Sequence, residues 1–147
     1  MALYMRIKDY LPKAVLCSTA QRTRETLDLL LAAWTKKPAI RYERELYLAD
    51  WPVLLASLKK APARASPLLL VGHNPGIEHL ALALALQPEG LAARARLQRL
   101  TQKFPTAALA VLDFDIPSWR ALKPGMGQLV DYVRPKDLPD GSSDAEA

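Results

Sequence analysis

The chain has 147 residues and a formal net charge of +5; half of it is hydrophobic and 24% is charged. That length suits one domain with its own core, and the composition excludes a disordered chain. The charge can attract anionic partners but is not the dense basic stripe of a dedicated nucleic-acid binder, and the single cysteine excludes an internal disulfide or an all-cysteine zinc site.

The first residues have helical spacing, with Leu3, Ile7 and Leu11 four apart and Pro12 to end the helix, but no N-cap precedes them. Ala14-Val15-Leu16-Cys17 is an apolar run bounded by polar turns and predicts a buried strand. Arg22 to Trp34 follows as a helix, with Thr26, Leu29, Leu30 and Ala33 on one face. A strand can start at Ile40 and run toward Leu46, and Trp51 to Lys60 reads as a helix. Leu68-Leu69-Leu70-Val71 is the clearest buried strand, followed by a short apolar helix over Ile77 to Leu86.

A basic helix over Ala92 to Thr101 comes next, then a strand over Ala107 to Phe114 and a hairpin through Trp119 and Gly127 to Val133. Residues 1–138 are expected to form one domain and 139–147 a polar tail. The longest unbroken apolar run, Leu80 to Leu86, is too short to cross a bilayer, and Arg6, Lys8 and Asp9 interrupt any leader-like segment. No membrane association is expected, and the reducing cytoplasm is the expected compartment.

Strands alternating with helices predict an α/β fold with a mostly parallel sheet, whose ligands sit where strand carboxyl ends enter helices. Two loops qualify. In Gly72-His73-Asn74-Pro75-Gly76 the glycines admit close backbone approach, and the helix that follows opens with amides suited to an oxyanion. His73 can donate to a phosphate there or handle a proton. In Ser18-Thr19-Ala20-Gln21-Arg22, Arg22 can clamp a phosphate bidentately or be an ordinary solvated helix arginine, and Arg24 can instead pair with Asp28. Ser18 can cap the helix or offer its hydroxyl to a ligand.

Other chemistries fit less well. A cysteine-phosphatase loop needs five residues between cysteine and arginine; four separate Cys17 from Arg22, and Thr23 holds the required place. His79, six residues after His73, does not share its helix face, so no metal and no cofactor is implied. The basic stretch from Arg94 to Lys103 has no interleaved aromatics and reads as a solvated face rather than a nucleic-acid surface.

Taken together, Ser18-Thr19-Ala20-Gln21-Arg22-Thr23-Arg24-Glu25-Thr26 resembles the S-x-A-x-R-T-x-E/Q-T segment of the histidine phosphatase superfamily, and Leu69 to Gly76 resembles its second-histidine motif. Lys103 to Leu109, Trp119 and Val133 to Leu138 are similar to SixA-like phosphohistidine phosphatases. The resemblance implies a three-layer α/β/α sandwich of the phosphoglycerate mutase-like kind, and hydrolysis of phosphohistidine through a covalent phosphohistidine. It implies a phosphohistidine-bearing protein, or a small phosphoester, as partner. It gives Arg22 and His73 catalytic places and Asn74 a role in shaping the loop or reaching the ligand.

The general-acid place of larger relatives is held by Arg44, with Glu43 and Glu45 beside it. The superfamily's Arg-His-Gly or Arg-His-Ala motif, which ends its first strand and carries the attacking histidine, is not in these residues. The resemblance thus predicts an N-terminally truncated, inactive domain without that central strand, its two neighbouring strands left with open edges. A non-catalytic phosphate or phosphoprotein binder is the alternative.

Overall fold

A computed structural model describes residues 1–139; the expected tail, apart from Pro139, lies outside the described residues. The centre is a parallel sheet. β1 (Ala14–Ser18) pairs with β2 (Ala39–Glu43) on one side and β3 (Leu68–Val71) on the other, with Val15 opposite both Ile40 and Leu69. Because side chains alternate across a strand, the sheet divides its apolar residues between two faces. Val15, Cys17, Leu69 and Val71 pack toward Leu27 and Leu31 of α2 (Gln21–Ala33), with α1 (Ala2–Ile7) beside them. Leu16, Leu68 and Leu70 pack toward Leu54 and Leu58 of α3 (Trp51–Lys59) and Leu80 and Leu84 of α4 (Gly76–Leu84). The result is the α/β fold that the alternating strands and helices predict, layered as the family resemblance implies.

A second, two-stranded sheet joins β4 (Leu109–Asp113) to β5 (Gln128–Val133) in antiparallel pairing, with a register shift between Val111 and Leu112. α5 (Leu91–Gln102) covers it through Leu97 and Leu100, packed on Leu129 and Tyr132. β4 runs opposite to β3. Asn74, just after β3, donates to the Phe104 carbonyl before β4, while Trp119, after β4, donates from its indole to the Ala65 carbonyl before β3.

The two sheets are not hydrogen-bonded to each other among the described residues. A cavity of about 570 Å³ separates β3 from β4. It explains two departures from the sequence reading. All four residues of β3 are only half-buried, because one edge and part of each face meet open space. On α2 the buried residues are Thr23 and Leu27, whereas Leu29 of the expected core face is 50% exposed. That face, Thr26, Leu29, Leu30 and Ala33, lines the cavity with Met1 and Leu3 of the α1 segment.

Smaller departures have local causes. α1 ends at Ile7, well before Pro12, because Asp9 takes φ +61 and the Tyr10 amide turns back to the Met5 carbonyl. β2 ends at Glu43, where a short 3-10 turn over Arg44–Leu46 carries Leu46 into the core. Tyr4 and Tyr10 both donate hydroxyls to Asp131 of β5, at 2.5 and 2.9 Å, and so tie the first helix to the second sheet. No helix among the described residues is long and apolar enough to cross a membrane.

Candidate active site

β1, β2 and β3 run in the same direction, so the loops that leave them meet at one end of the sheet. His73 follows β3 by two residues and is half-buried. Its carbonyl accepts the Ile77 amide at 2.9 Å, fixing the loop to the first turn of α4. Its ring lies with Nε2 at 2.8 Å from the Ser18 hydroxyl, and the Tyr47 ring stands edge-on to it, 5.2 Å between centroids at 89°. Burial first, and then the Arg22 guanidinium, hold the imidazole pKa below the ordinary histidine value. Both effects favour the neutral ring, and an anion beside it would favour the charged form.

Ser18 ends β1 and is 0% exposed. Its hydroxyl accepts the Ala20 amide at 3.3 Å and meets His73, so it stands behind the imidazole rather than at the mouth of the pocket. Thr23, a residue the sequence reading did not single out, is buried beneath the same turn and donates to the Ser18 and Ala20 carbonyls, each at 2.9 Å. That anchoring presents Arg22, on the first turn of α2, outward. Arg22 is exposed and makes no ion pair with a carboxylate among the described residues. Its charge is open to an external anion.

Asn74 also has a definite partner, since its side-chain amide donates to the Phe104 carbonyl at 2.7 Å. This contact shapes the loop and bridges it to the segment before β4. Gly76 is required by close approach: a Cβ there would lie 2.1 Å from the Ala49 carbonyl oxygen. The packing of Gly76 on Ala49 brings the loop after β2, with Tyr47 and Leu48, against the histidine loop. Tyr47 is 56% exposed and Leu48 is 62% exposed with φ +50, so the mouth of the pocket has an apolar rim. The sequence signal for this rim was available, since any residue just after a parallel strand lies at the site end of the sheet.

Several alternatives lose their support in the geometry. Arg24 donates from Nε to the Thr19 carbonyl at 2.8 Å and lies over the Tyr42 ring at 4.5 Å, instead of pairing with Asp28. Cys17 is fully buried and burial pushes its thiol pKa up, which is the reverse of an activated nucleophile. Glu43 is bound by the Ser57 hydroxyl and by Arg41. On α5, Arg96 and Arg99 donate to the Leu129 and Tyr132 carbonyls, so part of the basic stretch serves helix–sheet packing. His79 is exposed on α4, and no cluster of three metal-ligating side chains occurs among the described residues.

The fold and pocket define an α/β protein whose candidate site, with Arg22 and His73, lies at the carboxyl end of a parallel sheet. No protein-family model matches the chain. It is 37% identical over 123 residues to an uncharacterized protein of Mycobacterium tuberculosis, a match covering 84% of this chain and 73% of that protein. Among solved structures it is similar to a protein assigned as the phosphohistidine phosphatase SixA from Nakamurella multipartitia, with TM-score 0.72 and 31% identity over 90% of this chain and 76% of that one. A second, assigned the same way from Agrobacterium tumefaciens, matches with TM-score 0.64 and 27% identity over 91% of this chain and 75% of that one. The chain belongs to the SixA-like histidine phosphatase family, of phosphoglycerate mutase-like fold.

Proposed function

We propose that the pocket receives the phosphoryl group of a phosphohistidine carried on a partner protein, with small phosphoesters as weaker ligands. The reading is supported above all by His73 and Arg22, a polarisable imidazole and a guanidinium with no carboxylate partner among the described residues, at the end of one parallel sheet. Arg22 clamps the anion, and His73 donates to its oxygens and stabilises charge as the transition state forms. Ser18 is a positioning residue. Its hydroxyl can accept from or donate to the ring nitrogen, so it holds the imidazole in either protonation state. The Tyr47 and Leu48 rim favours a partner that brings apolar or aromatic surface beside the phosphoryl group.

In the family reaction a histidine nitrogen attacks phosphorus, the phosphorus–nitrogen bond to the substrate imidazole breaks, and water then releases phosphate from the enzyme. This chain has two histidines, and His79 is exposed on α4 and does not line the cavity. These residues alone therefore hold a phosphoryl group without turning it over. That same observation favours the second reading, a phosphate or phosphoprotein binder. The cytoplasm suits a protein whose one cysteine is a buried free thiol.

The test is calorimetric titration with inorganic phosphate. Arg22→Ala and His73→Ala are each expected to weaken binding about tenfold or more, as loss of a charge-assisted hydrogen bond implies. Unchanged affinity in both variants would remove the reading.

A further inference from the structure

We infer that β2 is a self-association edge, along which two copies of this chain join antiparallel about Tyr42 to form one continuous sheet. β2 is the outer strand of the parallel sheet and pairs with β1 alone among the described residues. The Ala39 amide donates to the Lys13 carbonyl at 3.0 Å, so Ala39, Arg41 and Glu43 turn their backbone groups inward to β1. By alternation Ile40 and Tyr42 turn theirs outward. Neither finds a backbone partner there among the described residues, and both side chains are exposed. β2 also lacks the devices that usually blunt an edge, since it contains no proline or lysine and pairs without a register shift.

Charge and backbone donors select a second copy and fix its register. Two identical strands in antiparallel pairing share a two-fold axis, which closes the association at two copies. Matching outward groups to outward groups requires that axis to set one residue opposite itself. At Arg41 it would set two guanidiniums against each other. At Ile40 it would set Tyr42 against Pro38, which has no amide proton to give. That register would also call on Lys37, whose ammonium already donates to the Leu31 and Trp34 carbonyls.

At Tyr42 the two copies exchange a pair of backbone hydrogen bonds, and Arg41 comes to lie directly opposite Glu43 of the partner subunit. Such a position is of the non-hydrogen-bonded kind, where facing side chains approach most closely. The Arg41 side chain is 63% exposed and its Nε is 3.7 Å from its own Glu43 carboxylate, so it stands on the edge beside the charge it would answer. Arg24 lies over the Tyr42 ring at 4.5 Å, which orders that ring on the α2 side of the sheet. The two candidate sites would then stand at opposite ends of the joined sheet, because its halves run in opposite directions.

Sedimentation equilibrium of the 147-residue chain, from about 1 to 500 μM as a short interface requires, tests the inference. A reversible monomer–dimer equilibrium is expected, with amide exchange at Ile40 and Tyr42 slowing as the dimer fills. Arg41→Glu sets like charges opposite each other twice in the dimer and should weaken it about tenfold or more; Glu43→Lys should do the same. Mixed together, the two variants place an acid opposite a base at both positions and should restore a 1:1 heterodimer. Circular dichroism checks the fold of each, and Arg41→Glu, at an exposed side chain, keeps the test decisive if loss of the Ser57 contact unfolds Glu43→Lys. A monomer throughout the range, a dimer indifferent to Arg41→Glu, or two folded variants that stay monomeric when mixed would overturn the proposal. So would protection of Leu68–Val71 or Leu109–Asp113 in place of Ile40 and Tyr42.

Discussion

His73 shows how little of a side chain's chemistry is set by its own identity. Burial and then Arg22 hold its pKa below the ordinary histidine value, and its orientation comes from the buried Ser18 hydroxyl at 2.8 Å. Because the folded pKa is depressed, the unfolded chain takes up its proton first as pH falls. Unliganded stability should therefore drop as pH falls through the ordinary histidine range and level off below the folded pKa. Thermal melts of the wild type and His73→Gln between pH 8 and 5 isolate the effect, with a shallower decline expected in the variant. Sulfate, a dianion throughout this range, should show the opposite trend: its affinity rises as pH falls, and the rise is lost in His73→Gln. Ser18→Ala should weaken sulfate about two- to tenfold, the equivalent of one net hydrogen bond, with little change in fold by circular dichroism. An unaltered sulfate affinity would deny Ser18 its positioning role.

At the scale of elements, the contacts that bring the loops together were the hardest to foresee. The strands over Ala14–Ser18 and Leu68–Val71 were legible because short apolar runs between polar turns have few other solutions. That Arg22 and His73 stand at one end of the sheet was legible because parallel topology fixes which ends of the strands meet, while the roles expected of them rested on the family resemblance. Thr23 beneath the Ser18 turn and Asn74 on Phe104 were not, since both depend on partners set by tertiary packing. Gly76 was expected to admit close backbone approach to a ligand, yet what approaches it is the Ala49 carbonyl. Gly76→Ala should cost about 1–3 kcal/mol through overpacking and should weaken anion binding as the histidine loop shifts, seen by chemical denaturation and sulfate titration.

The anchoring of α1 is a second case. Asp131 accepts from Tyr4 and Tyr10, and burial together with that carboxylate pushes the Tyr10 pKa up to about 12. Asp131→Ala should lower the melting temperature by about 5–10 °C, from the loss of two charge-assisted bonds in a domain of this size. A change within 1 °C would mean that α1 is held by its apolar contacts alone.

Across the whole molecule, periodicity carried the layer order, and the gap in it was expected from the family resemblance alone. Thr26, Leu29, Leu30 and Ala33 have the periodicity of a core-facing helix, and periodicity cannot distinguish a filled core from an apolar cavity. The same is true of Leu68–Val71, whose composition is that of a central strand although it stands at a sheet edge. Function follows the same division. The proposed phosphoryl pocket lies at the carboxyl end of the three parallel strands, beside the cavity between β3 and β4.

The most direct measurement is phosphorus NMR of free phosphohistidine mixed with the 147-residue chain. A shifted or broadened phosphohistidine signal is expected, restored to its free form by Arg22→Ala, with inorganic phosphate accumulating no faster than in buffer. Rapid release of phosphate by these residues alone, or a spectrum indifferent to the protein, would contradict a pocket that binds a phosphoryl group but lacks its attacking histidine.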